Sequence, residues 1–262
     1  MADTTKEIAD LKALVESLRK EVSKVSAPSK DEAEIKKLHF KYGYYLDKCL
    51  YKEVVDLYSN DPETFVEFIG GRYRKKEGVR RLYIDRFAAR FVQGRNGPVH
   101  GFLLDHAQMQ DIVDVAPDGI HAHARFRALM SAGTHQSIAK THPRGFVQWW
   151  EGGLYENEYI KEDGVWKIWK LRYFPFWHAD FERGWSKKED GEFIPFDTST
   201  FAQGNITGPD EIVEQMMLWP DTRVVPFHYT HPVTGKQIED DDLRAPHWGE
   251  KVEDSKPALI LN

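Results

Sequence analysis

Between residues 5 and 26, apolar side chains fall at Ile8, Leu11, Val15, Leu18, Val22 and Val25, alternately three and four apart, with charge at most other positions. That spacing is a heptad seam and predicts a helix. Three heptads are marginal alone, so self-association beside a larger interface is expected. β-Branched residues at the first seam position with Leu at the second favour two strands, while Leu14 widens the seam toward three. A homo-oligomer is therefore expected, a trimer ahead of a dimer; the alternative is an amphipathic helix lying on its own domain. Ser26-Ala-Pro-Ser reads as a break and linker. A second helical face, Ile35, Leu38, Phe40, Tyr42, Tyr45 and Leu46, begins after Ser29-Lys-Asp and runs to about Cys49. A short helix over Lys52–Ser59 follows, then a hairpin with Gly70-Gly71 as its turn, then a helix over Glu77–Val92.

From there the pattern turns strand-like: His106–Val115, Ile120–Met130, Gly145–Ile160 and Val165–Trp177, with Pro117-Asp-Gly and Glu162-Asp-Gly as turns. Early helices followed by long antiparallel hairpins define an α+β fold, with helices packed on one face of a curved, cone-like sheet. Three parts result: residues 1–28 as the heptad helix, 29–182 as the main domain and 183–262 as an irregular extension. The extension has little periodicity apart from a predicted helix over Pro209–Leu218, and is expected to wrap the domain or a neighbouring subunit, or to lid the cavity.

Composition narrows the class. Apolar residues make up 41% of the 262, enough for a sizeable core, and no run is long enough to span a bilayer. The N-terminus is charged throughout and lacks a signal-peptide core, and the single cysteine, Cys49, suits a reducing cytoplasm. A net charge of −6 without a basic cluster argues against nucleic acid as a partner. Aromatic content of 13%, with eight Trp, points to a cavity lined by large flat side chains and thus to a bulky aromatic small-molecule substrate. Candidates for that lining are Tyr51, Tyr73, Phe91, Trp149, Trp169, Tyr173 and Trp177, with Phe40, Tyr44 and Phe87 beside them.

Three motifs carry a family resemblance. Tyr42-Gly-Tyr-Tyr-Leu-Asp47-Lys-Cys-Leu-Tyr resembles the first-helix signature of SnoaL-like proteins, in the nuclear transport factor 2-like superfamily. His106-Ala-Gln-Met-Gln110 is similar to that family's histidine followed four residues later by Asn or Gln, and Gly152-Gly-Leu-Tyr-Glu-Asn-Glu-Tyr to its penultimate hairpin. The resemblance covers about residues 32–178. In the family's dehydrochlorinase and scytalone dehydratase members an Asp and a His at these positions form the catalytic dyad, which implies Asp47 and His106 here. Relatives also use an arginine on the last strand. Arg172 stands one residue from that position, and one residue reverses the face of a strand. Scytalone dehydratase has a Tyr where this chain has Leu46; Tyr44 and Tyr51 lie nearby on the helix. Length, tail and aromatic content look like the lignin-dimer γ-formaldehyde lyases, which convert diaryl-propanediols to stilbenes.

Imidazole suits proton transfer near neutral pH, and a carboxylate on one ring nitrogen orients it and stabilises imidazolium as it forms. Such a pair supports elimination of water, halide or a carbon fragment without a cofactor. Local capping for Asp47 and a satisfied core position for His106 are the alternative readings, with Asp105 and His100 as flanking substitutes. His121 and His123 share one strand face, but no third ligand accompanies them, so no metal is expected. Gly152-Gly153 reads as a turn or bulge. The implied activity is a cofactor-independent lyase; a dehydratase or cyclase, or a non-catalytic aromatic-ligand module, are its rivals.

Overall fold

In the computed structural model, the chain is described over residues 2–142, 145, 147–182, 184–186, 205–213 and 219–261, with only the backbone of residues 2–5 and 22–28. Helix α1 (Ala2–Asp47) runs unbroken, so the break expected at Ser26-Ala-Pro-Ser is absent. Pro28 deletes one backbone donor but keeps the φ near −65° that a helix needs. Ile8, Leu11, Leu14, Val15 and Leu18 stand exposed along its first half, while Val22 and Val25 fall outside the described side chains. Its second half is anchored by Ile35, His39, Tyr42 and Leu46, which repeat every three or four residues and are all buried.

Helix α2 (Tyr51–Asp56) leads to a hairpin of β1 (Phe65–Phe68) and β2 (Gly71–Arg74). The turn is Ile69-Gly70, not Gly70-Gly71: both residues have positive φ, 43° and 79°, as a two-residue hairpin of the mirror-image type requires. The next helix, expected over Glu77–Val92, is built as α3 (Lys75–Arg80), a π-helical stretch over Arg81–Ala88, and α4 (Ala89–Val92). Four long strands follow: β3 (Phe102–Val115), β4 (His121–Thr134), β5 (Gln148–Glu162) and β6 (Val165–Asp180). The sheet order is β3-β4-β5-β6-β1-β2, with β1 parallel to β6 and the other pairs antiparallel. Helices and α1 pack on its inner face, giving the curved α+β cone that the sequence pattern implies.

The extension adds a short edge strand, β7 (Glu211–Ile212), paired with β2. This replaces the first half of the helix expected over Pro209–Leu218; residues 214–218 lie outside the described ones. From residues 219–261, Trp219, Val225, Pro226, His228 and Leu261 make contacts to the outer face of the same chain's sheet. Val225 is buried against Leu154 and Phe174, and the Arg125 guanidinium donates to the Val225 carbonyl at 3.1 Å. Among the described residues none from the extension lines the inner cavity. No helix is long and apolar enough to cross a membrane, among the described residues.

Candidate active site

Helix α1 ends in a tight reversal. The Cys49 N–H donates to the Leu46 carbonyl at 3.0 Å and the Leu50 N–H to that of Tyr45 at 2.9 Å, with Cys49 at φ 53°. This is a Schellman cap with cysteine where glycine usually stands. The cap fixes Asp47 in the last turn, where the helix dipole disfavours a carboxylate. What compensates it is strand β3: the His106 backbone N–H donates to Asp47 Oδ1 at 2.8 Å, and His106 Nδ1 lies 3.3 Å from the same oxygen. Asp47 is therefore not a local cap. The two predicted partners do meet, at ion-pair distance rather than in an aligned hydrogen bond. Asp105, one residue away, is exposed on the other face of β3.

His106 opens onto a cavity of about 50 Å³ enclosed by α1, α2, the π-helical stretch and the long strands. Tyr51, Phe91, Trp149 and Tyr173 line it as expected, and Tyr42, Leu46, Tyr83, Phe87, Glu151 and Tyr155 complete most of the wall. The π turn brings Tyr83 and Phe87 to one side, and widened helical turns of this kind recur at functional sites. Tyr83 also receives Tyr42 and Tyr58 as hydroxyl partners at 2.9 and 3.1 Å. Burial pushes the Tyr42 hydroxyl up to about 12, so it stays protonated. Burial likewise raises the Cys49 thiol, which keeps it inert.

The sheet register places a second pair in the same wall. His106, Met130, Glu151 and His178 are successive cross-strand partners on β3, β4, β5 and β6. Glu151 Oε2 lies 2.6 Å from His178 Nε2, and the Tyr173 hydroxyl donates to Glu151 Oε1. Burial raises the Glu151 carboxyl, but His178 and Tyr173 outweigh it, and the group lies below its ordinary value, ionised inside an aromatic wall. Sequence reading missed Glu151 and His178. Their pairing depends on a bulge: Tyr155 faces Tyr173 and Gly153 faces Pro175, but Gly152 faces Trp177 and Glu151 faces His178, leaving Phe176 unpaired. Without the extra residue Trp177 would stand opposite Glu151.

The same geometry corrects three aromatic candidates. Trp177 turns to the outer face, where a side chain on Gly152 would strike its ring at 2.3 Å. Trp169 sits at a second β6 bulge, between Ile168 and Lys170, and its indole N–H donates to Asp61 at 2.9 Å on the outside. Tyr73 is buried beside Arg86 and Arg81, off the cavity. Arg172 alternates with Leu171 and Tyr173, so it too points outward, donating to Glu158 at 2.8 Å above the Phe65 ring. Tyr44 is 74% exposed and borders an outer groove beside Asp47, not the cavity. Gln110 lies in the β3 bulge at φ 49° and leaves the inner face, while Gln108 Oε1 accepts from Nε2 of buried His39 at 2.9 Å. His121 pairs with Asp118 at 2.7 Å and His123 stacks against His228. Among the described residues no group of three or more His, Cys, Asp or Glu side chains could hold a metal ion.

A curved sheet wrapped around an aromatic cavity, with a His–Asp pair at its wall, defines the class, and comparison supplies the family. The SnoaL-like domain model matches residues 27–172, more than half of the chain, and the protein belongs to that family. No curated protein matches the chain. Solved structures similar to it include a type 2 hexachlorocyclohexane dehydrochlorinase, 16% identical, with a TM-score of 0.47 over 66% of this chain and 99% of that one. The type 3 dehydrochlorinase of Novosphingobium barchaimii is 18% identical, with a TM-score of 0.44 over 67% and 99%. A provisionally named scytalone dehydratase of Novosphingobium aromaticivorans is 15% identical, with a TM-score of 0.44 over 60% and 94%.

Proposed function

We propose that the protein is a cofactor-independent acid–base lyase acting on an aromatic alcohol, with His106 as the proton-transfer group and Asp47 as the carboxylate that orients it. The observation that carries this reading is the 3.3 Å approach of Asp47 to His106 at the wall of an aromatic cavity. A helix-terminal carboxylate held against the dipole, and a buried imidazole nitrogen without an aligned hydrogen bond, are departures from local economy that functional sites tolerate.

The specific substrate we favour is a lignin-derived diaryl-propanediol, losing water and formaldehyde to leave a stilbene. The aromatic wall, with Phe87, Phe91, Trp149 and Tyr155, suits aryl rings. The free space of about 50 Å³ is smaller than such a substrate, so the wall side chains must part on binding. That narrowness favours, as a second reading, a dehydratase acting on a single-ring alcohol. Incubation with a diaryl-propanediol is expected to release formaldehyde and build stilbene absorbance, and incubation with an arylalkanol to release water and form a styrene. Asp47→Asn and His106→Ala should each suppress turnover; full activity in both would remove the roles assigned here. The exposed seam on α1 supports self-association, which sedimentation of the chain and of Leu11→Asp would measure.

A further inference from the structure

The Glu151 carboxylate is buried, ionised and turned into the cavity, yet the Asp47–His106 pair does not touch it. Its surroundings are built rather than incidental. Tyr173 donates to one oxygen and His178 approaches the other at 2.6 Å, and both the imidazole and the carboxylate are almost wholly buried. Gly153 makes the room: a side chain there would meet the Tyr173 hydroxyl at 2.3 Å. The Phe176 bulge turns His178 inward to complete the arrangement. Stability alone does not account for it, since a buried ion pair of this kind is often no better than apolar packing. Glu151 stands two strands from His106 in the same cross-strand row, about 10 Å between backbones at the usual strand spacing. A substrate lying between them would meet one group on each side.

We propose that Glu151 is the second substrate-contacting group of the site: its carboxylate accepts the hydrogen of a substrate hydroxyl and, in the reaction, its proton. This rests on the acid–base lyase reading. Elimination from a diol needs a group that takes a proton and another that gives one, and the two sides of the cavity divide the task. Glu151 takes the terminal hydroxyl's proton. The resulting oxygen electron pair forms the formaldehyde carbonyl as the carbon–carbon bond breaks, and those electrons form the new alkene. The benzylic carbon–oxygen bond breaks, and protonated His106 gives its proton to the departing hydroxyl, which leaves as water. One proton then sits on Glu151 and one is missing from His106, and exchange with solvent restores both. Tyr173 and His178 are positioning residues that hold the carboxylate charged and aimed. The substrate class this selects carries two hydroxyls, one on each side of the bond that is broken; a halide leaving group would need no acid.

The experiment combines binding and chemical rescue with the full chain. Binding of a diaryl-propanediol, followed by quenching of tryptophan fluorescence, is compared in wild type, Glu151→Gln and His178→Gln. Glu151→Gln is expected to bind the diol at least about 10-fold more weakly while binding the matching diarylpropane as wild type does, because only the diol offers a hydroxyl. In Glu151→Ala, formate, acetate or azide should restore turnover, more strongly with the more basic anion, whereas none of them should restore His106→Ala. Wild-type binding of the diol by Glu151→Gln, or rescue indifferent to anion basicity, would overturn the proposal. If wild type binds the diol but produces nothing, the lyase reading fails while the binding comparison still decides whether Glu151 engages the hydroxyl. Absence of diol binding by wild type overturns both.

Discussion

On the outer face of the long-strand sheet, Arg125 meets Glu156 at 2.5 Å and also caps the Val225 carbonyl, while Arg172 meets Glu158 at 2.8 Å. His228 of the extension bridges Glu156 and Asp114. On the inner side the polar groups are paired as well, Asp47 with His106 and Glu151 with His178, but there one member of each pair, His106 and Glu151, lines the aromatic cavity. Charge on the outer face is consumed by partners within the chain. On the inner side the pairs hold His106 and Glu151 in place at the cavity wall. The first arrangement fastens the extension to the domain; the second is what a reacting molecule could use. Exposure does not separate them, since Arg125, Glu156 and Arg172 are as buried as His106 and Glu151, and neither does residue type. What separates them is whether the polar atoms have anywhere else to go.

That contrast can be broken from either side. The largest expected effect is on the inner side: His106→Ala should lower turnover of a confirmed substrate by about 10²–10⁴-fold per folded molecule, beyond whatever its lost pairing with Asp47 costs in urea unfolding. Outside, Glu156→Ala should do the reverse. It strands Arg125 and should cost about 3–5 kcal/mol in urea unfolding, while the residual folded enzyme keeps its kcat. The glycine pair sharpens the comparison within a single strand, because Gly153 faces the cavity and Gly152 faces out. Alanine at either should cost about 1–3 kcal/mol through overpacking. Only Gly153→Ala, which displaces Tyr173, should also lower kcat.

A pH titration tests the same interior. Burial pushes His39, stacked on Phe126, down to about 3, despite its hydrogen bond to Gln108. The unfolded chain therefore takes up this proton first. Stability is complete above about pH 6.5 and should fall by about 1.4 kcal/mol per unit as the pH drops toward 3. Between pH 6.5 and 5, where carboxylates contribute little, His39→Gln should flatten the slope measured by urea unfolding. The smallest effect is expected at Tyr44. Tyr44→Phe should stay within about 0.5 kcal/mol of wild type in stability and leave kcat unchanged, because its hydroxyl faces an outer groove.

Several of these positions were readable in advance. The four long strands and their turns follow from periodicity, and the structure places them within a few residues of the expected limits, whereas the heptad helix continues past its expected break to Asp47. Asp47 and His106 were legible because each lies in a short motif whose local geometry is simple: the end of a helix and the start of a strand. Trp169 and Trp177 were candidates on aromatic content, and Arg172 on the resemblance, with the strand register unsettled. Two bulges on β6 turned both tryptophans outward, and strict alternation between Leu171 and Tyr173 turned Arg172 outward too. Glu151 and His178 carried no signal, since a glutamate and a histidine 27 positions apart mean nothing until the strand register sets them opposite each other.

The amino-acid sequence by itself determined the family and the order of helices and long strands, and it singled out Asp47 and His106, which the fold brings within 3.3 Å, because these depend on local spacing and on short contiguous motifs. Only the tertiary structure decided which residues face the cavity. A strand shows its side chains alternately to two sides, so a single unpaired residue such as Phe176 reverses every assignment beyond it. That reversal removed Trp177 from the cavity and brought His178 to Glu151.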